Sequence, residues 1–189
     1  MSYSATETTM RRAFASPTSY GAVVAPASGQ ISAQEIGAEG SYRGLRINFS
    51  NVVVPITNAN EFASIDVWTF VAGSLDITNA SSDITVQASA GVPQTTTALS
   101  LSVGTAATAD TTLSGTEANV IASTTLAALV AGAGPFRAGA NTTVARIGST
   151  TAQTLRINMA LAGNVMTADA TITLNGTLDV YFTLARAFA

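Results

Sequence analysis

The chain has 189 residues, enough for one domain with a real core, alone or with an added arm. Lys, His and Cys are absent, all eight basic residues are Arg, and charged residues make up 10% of the chain, against roughly 25% in a typical soluble domain. With a net charge of −3 and no basic run beyond Arg11-Arg12, the chain lacks the concentrated basic stripe that nucleic-acid phosphates demand, and without Cys it has neither disulfides nor thiolate metal sites.

So few charges protect a free monomer poorly against association, so the composition predicts a surface largely hidden in an assembly. The first residues, Met1 to Arg12, contain no apolar h-region, and no secretory signal peptide is expected. No apolar run reaches ~18 residues, and no membrane partner is expected. Val120 to Ala133 comes closest, but Ser123, Thr124 and Thr125 interrupt it, and it reads as a short buried helix or loop.

In chain order, residues 1–40 read as an extended N-terminal arm, rich in Ser, Thr, Ala and Gly and carrying Pro17 and Pro26. Such a segment cannot bury enough surface alone to offset its ordering entropy. Its candidate partner-docking residues are Arg11, Arg12, Phe14, Tyr20, Val23 and Val24: the arginines for carboxylates, the others for apolar grooves.

Residues 41–189 read as a β-sandwich domain. Leu45 to Ser50 alternates apolar and polar, and Val52 to Thr57 follows, with Pro55 demoting that run to an edge or a strand end. Ser64 to Val71 alternates again, with either Ile65, Val67 and Thr69 facing inward or Trp68 and Phe70 on the opposite face, so that both faces are candidates for burial. Leu75 to Ile77 and Ile84 to Val86 are short strand candidates around an Asn79-to-Ser82 turn, and Ala98 to Val103 is another alternating strand.

Asp110 to Phe136 breaks the pattern. Ser114-Gly-Thr-Glu117 has capping-box spacing, which predicts a helical turn or two over Ala118 to Ala122 and a second short helix over Thr124 to Ala131. Thr154 to Leu161 and Ala170 to Leu184 are the clearest strands. Leu155, Ile157, Met159 and Leu161 share one face, and the opposite face is Thr- and Asn-rich. Asn175-Gly176 fits either a two-residue hairpin or a bulge within one long strand. Many short strands without interleaved helices predict an all-β fold, an antiparallel β-sandwich or jelly roll with one short helical insertion.

Catalytic chemistry has little to work with. A Ser or Thr nucleophile needs a base, and without His or Lys only eleven carboxylates remain. Asp66, Asp76, Asp83, Glu117, Asp169 and Asp179 show no spacing that pairs them for glycoside hydrolysis, and Asp66 and Asp179 lie in alternating strands as outward positions. No acidic loop dense enough for calcium and no phosphate-cradling glycine pattern is present, so neither an enzyme nor a metal or cofactor is expected.

The run Asp110-Thr-Thr-Leu-Ser-Gly-Thr-Glu-Ala-Asn-Val-Ile-Ala-Ser-Thr-Thr125, then Gly132-Ala-Gly-Pro-Phe136, the strand Leu155 to Leu161 and the stretch Ala168 to Thr177 occur in an order resembling the tailed-bacteriophage small virion (capsid decoration or cement) protein family. Phe49 to Thr57 extends the resemblance, which covers about three quarters of the chain. It implies a capsid decoration protein on the virion surface, trimeric, with the major capsid protein and further copies of itself as partners. The family carries no catalytic residue. The ending Leu184-Ala-Arg-Ala-Phe-Ala189 departs from the aromatic and acidic ending of that set, which leaves the docking role of the tail open. The competing reading is a virion fibre, spike, or receptor- or carbohydrate-binding jelly roll. It needs exposed aromatic side chains, and Trp68, the single Trp, stands in an apolar strand where core packing is the simpler role.

Overall fold

The structure, a computed structural model, describes residues 21–24, 30–39, 42–70, 75–89, 92, 98–126, 133–139, 145–147, 152–161 and 166–184. Among them are the strands β1 (Gly21–Val23), β2 (Ile31–Glu39), β3 (Tyr42–Ile56), β4 (Phe62–Phe70), β5 (Leu75–Ala88), β6 (Leu99–Gly104), β7 (Ile121–Leu126), β8 (Ala133–Gly139), β9 (Ala145–Ile147), β10 (Gln153–Leu161) and β11 (Ala170–Leu184). One sheet runs β1-β4-β10-β6-β7 and the other β2-β3-β11-β5-β8, with β9 also on β5. Their pairings are antiparallel. Setting aside β1, β2 and β9, the sheets are β4-β10-β6-β7 and β3-β11-β5-β8, and the chain crosses repeatedly from one to the other. This is the strand order of a jelly roll.

Period-two alternation places the core. In β11 the even positions Ile172, Leu174, Leu178, Val180 and Phe182 are buried, while the odd positions, mostly Thr, remain partly exposed. Leu155, Ile157 and Met159 of β10 face them from the other sheet, all within one continuous apolar cluster.

Among the described strands five register shifts interrupt the ladders, and three of them bear on the sequence reading. Leu155 faces Trp68 while Arg156 faces Asp66, so Val67 is an extra residue in β4. That extra residue lets Val67, Trp68 and Phe70 all bury, where strict alternation offered one set or the other. In β5, Tyr181 faces Asn79 and Phe182 faces Ile77, which leaves Thr78 over; its hydroxyl donates to the Tyr181 carbonyl at 3.2 Å. The third lies in β3 at Ser50-Asn51, because Leu174 faces Val52 and Gly176 faces Phe49. Asn51 takes a positive φ of 52° there, and its N–H donates to Asn175 Oδ1 at 2.7 Å.

Asn175-Gly176 thus continues one long strand. Gly176 has φ 132°, and a Cβ on it would collide with the Asp83 carbonyl oxygen, so no side chain fits. Pro55 stands near the end of β3, along the stretch that β2 does not accompany. Its partner Thr171 directs its N–H and C=O toward Ser89, so the proline nitrogen faces away from β11 and no ladder bond is lost.

Three expectations need correction. The arm does not extend to residue 40: residues 21–23 and 31–39 are edge strands, β1 on β4 and β2 on β3, and Ile31 belongs to the core. Gly and Ala leave these strands with few apolar markers, and it is pairing with a neighbour that orders them. The Asn79-to-Ser82 segment is not a turn but the bulged middle of one strand, where the extra Thr78 mimics a phase break. The helical insertion reduces to a 3-10 turn at Gly115–Glu117, followed directly by β7, so Thr124 to Leu126 is strand; residues 127–132 lie outside the described residues. The capping box at Ser114 and Glu117 is present, but the chain returns to the sheet before an α-helix develops.

Candidate functional site

Of the sequence-derived docking residues, Arg11, Arg12, Phe14 and Tyr20 lie outside the described residues. Val23 ends β1 opposite Trp68 and packs against the core, and the Val24 N–H reaches the Val67 carbonyl at 3.4 Å. Val23 thus packs on its own sandwich, and Val24 is tied to β4 through its backbone. Trp68 is 1% exposed and stands edge-on to Phe70, with centroids 6.3 Å apart, so it offers no platform for a sugar ring.

The distinctive polar feature lies on the outer face of the β4-β10-β6 sheet. There Ser64, Asp66, Ser102, Arg156 and Asn158 alternate with the core residues; the connection from β6 to β7 buries Ser102 and Asn158, while Arg156 and Asp66 stay partly exposed. Asn158 is fully buried. Its Oδ1 accepts from the Ser64 hydroxyl at 2.5 Å and from the Thr108 N–H at 3.2 Å; its Nδ2 donates to the carbonyls of Ala106 at 3.0 Å and Glu117 at 2.7 Å. The Ser102 hydroxyl donates to the same Glu117 carbonyl at 2.8 Å.

Arg156 binds Asp66 through Nε at 2.6 Å and the Thr105 carbonyl through Nη1 at 2.8 Å. The Glu117 carboxylate accepts from the N–H groups of Ala109 and Ser114, at 3.2 and 3.4 Å. Gly104 stands beneath this turn, and a Cβ on it would collide with backbone atoms of Thr116 and Glu117.

The other carboxylates hold the fold in similar ways. Asp179 takes two of the three guanidinium nitrogens of Arg46, Nε at 2.8 Å and Nη2 at 2.7 Å. That hydrogen bond and the Asp179 charge hold the Arg46 guanidinium above its ordinary value, so its protonation fails only in strong alkali. Glu35 pairs with Arg43 at 3.3 Å, with both side chains largely buried. Asp110 accepts from the Thr112 N–H and Asp169 from the Asn58 N–H.

Glu61, buried and with φ 56°, accepts from the Met166 N–H at 2.7 Å, while its carbonyl accepts from Leu161. Asp66 and Asp179 do face outward from the core, as their positions in the strands suggest, and each is held by an Arg. Among the described residues, no group of three or more acidic side chains is placed to hold a metal ion.

Sequence reasoning missed Asn158, Ser102 and Glu61. In a single alternating strand, an Asn bound for a covering loop looks like an Asn bound for water. The one available signal was the length of the segment after Gly104, which is far more than two adjacent antiparallel strands require. In comparisons with known proteins, no family model, no curated protein and no solved structure matches this chain.

Proposed function

We propose that this chain is a structural virion protein: a capsid decoration, or cement, protein that binds the major capsid protein and stabilises a phage head. The observation that carries this reading is the use made of charge. Seven carboxylates, Glu35, Glu61, Asp66, Glu117, Asp110, Asp169 and Asp179, are engaged with Arg or backbone N–H groups of the same chain. What remains on the outer sheet faces is mostly hydroxyl and amide: Thr171, Thr173 and Thr177 on β11, Thr85 and Gln87 on β5.

Such a surface is adapted to being covered by another polar, uncharged protein surface. The family resemblance of the segments Asp110 to Thr125 and Ala168 to Thr177 supports the same reading, and the trimer it implies accounts for so low a charge content. The N-terminal residues Arg11, Arg12, Phe14 and Tyr20 would add reach to a neighbouring subunit. The fold alone argues for no function.

Quantitative mass spectrometry of virions tests the reading. A decoration protein is present in hundreds of copies and a fibre or spike in tens. Light scattering of the purified chain is expected to give a trimer. A monomer that fails to assemble on heads would overturn the proposal.

A further inference from the structure

Of the ten asparagines in the chain, Asn175 alone is followed by glycine. That pair carries a reaction of its own. The backbone nitrogen of Gly176 can attack Cγ of the Asn175 side-chain amide, because Gly176 has no side chain to obstruct the approach. A C–N bond forms, the Gly176 nitrogen gives up its proton, and the side-chain nitrogen leaves as ammonia. Water then opens the cyclic imide at either of its carbonyls. One product is aspartate on the original backbone. The other is isoaspartate, in which the backbone runs through the side-chain carbons.

In the folded chain this ring has no way to close. β11 lies between β3 and β5, with Gly176 opposite Phe49 on one side and Ile84 on the other. Closure needs the Gly176 nitrogen swung round beside the Asn175 Cβ, whereas the extended ψ of an antiparallel strand, about +135°, holds it away. Rotating that one dihedral would pull β11 from both neighbours. The side chain is tied as well, since Asn175 Oδ1 accepts the Asn51 N–H at 2.7 Å. The Asp83 carbonyl oxygen and the Ile84 Cα close off the space on the Cβ side of Gly176.

We propose that Asn175-Gly176 is a site of covalent self-modification that folding switches off. The unfolded chain converts Asn175 to aspartate and isoaspartate, and the isoaspartyl chain does not refold. Isoaspartate adds a backbone carbon to β11 between Leu174 and Gly176. Thr177 to Leu184 then no longer meet β3 from Tyr42 to Asn48 and β5 from Leu75 to Asp83 in register. Leu178, Val180 and Phe182 lose the inward phase that buries them. Unfolding thereby becomes irreversible with time, by chemistry rather than by aggregation. The inference stands on the bulge and the dipeptide and is independent of the capsid reading.

The test incubates the full chain in mildly alkaline buffer, folded and in urea above its unfolding midpoint, and follows each asparagine by peptide mapping. Cleavage after Arg156 and Arg186 releases Ile157 to Arg186, within which fragmentation separates Asn175 from Asn158 and Asn164. Conversion of Asn175 in urea is expected to outpace that in the folded chain about tenfold or more, because the folded chain reacts only through its open fraction. On dilution from urea, the refolded fraction is expected to fall in step with the isoaspartate content. Asn175→Thr removes the reacting amide, leaves the exposed Asn51 N–H to water, and is expected to refold in constant yield. Asn175→Gln, whose six-membered ring closes far more slowly, repeats the measurement should Asn175→Thr fail to fold. Conversion centred on Asn175, slowed by folding and accompanied by a refolding loss that the variant lacks, supports the proposal. Equal rates in folded and unfolded chains, conversion centred on other asparagines, isoaspartyl chains that refold, or a refolding loss that persists in the variant overturns it.

Discussion

The ring of Phe70 meets the ring of Phe182 edge to face, with centroids 5.5 Å apart and planes inclined at 76°. Phe70 ends β4 in one sheet and Phe182 lies near the end of β11 in the other, so this contact joins the two layers of the sandwich. Trp68 meets Phe70 edge to face and extends the aromatic group along β4 of the first sheet. Truncating Phe182 to Ala leaves a cavity between the two sheets and is expected to cost about 3–5 kcal/mol. A double-mutant cycle with Phe70→Leu and Phe182→Leu is expected to return a coupling of about 0.5–1.5 kcal/mol by chemical denaturation. A coupling of zero would mean that the rings contribute area alone.

Arg46 and Asp179 form a bidentate pair on the outer face of β3 and β11, with Arg46 partly exposed. Solvent screens that pair, so Asp179→Asn is expected to lower stability only slightly, and the loss should shrink in high salt. The fold and any assembly are expected to survive. Abolished assembly in a folded Asp179→Asn protein would show that the carboxylate has a partner beyond Arg46.

Asn158 is the support on which the β6–β7 loop hangs. Asn158→Ala removes the Oδ1 acceptor from Ser64 and the Nδ2 donor from the Ala106 and Glu117 carbonyls. The expected cost is about 2–3 kcal/mol, because these groups stay buried with fewer partners. Hydrogen exchange should rise through Thr105 to Asn119 while β3, β5 and β11 keep their protection. Uniformly faster exchange across both sheets would show that the loop is part of the core's cooperative unit.

Gly176 cannot accept a side chain. Its φ of 132° opposes Ala, and so does the Asp83 carbonyl oxygen, which occupies the space a methyl group would need. Gly176→Ala is expected to lose at least ~2 kcal/mol, or a fall of roughly 4–8 °C in melting temperature. Gly115, whose φ is also positive but whose surroundings are open, provides the contrast: Gly115→Ala carries strain alone, at about 1 kcal/mol.

The strands with strong alternation were legible in the sequence. Leu155, Ile157, Met159 and Leu161 on one face, and Ile172 and Leu174 on one face of the next strand, are where their period of two places them. An antiparallel sandwich or jelly roll followed from many strands and no interleaved helices, and the strand order decided between the two. Strands with weak or broken alternation were not legible. β1 and β2 carry Gly and Ala where a strand usually shows Val or Ile. β5 contains an extra Thr78 that shifts its phase.

Composition and periodicity by themselves determined the all-β class, the inward face of β10 and of the first half of β11, and the absence of His, Lys and Cys from any chemistry. Those are local properties, set by alternating side chains and by which atoms the chain contains. Tertiary structure alone decided which polar residues are buried. Asn158 and Asn48 follow the same Leu-Arg-Ile tripeptide at the same phase of a strand. Asn48 is partly exposed on the outer face of β3, whereas Asn158 is sealed beneath the loop. Nothing in the shared four-residue word distinguishes them. The difference lies in what crosses above each strand, and that is fixed by contacts from residues 41 to 94 positions away in the chain.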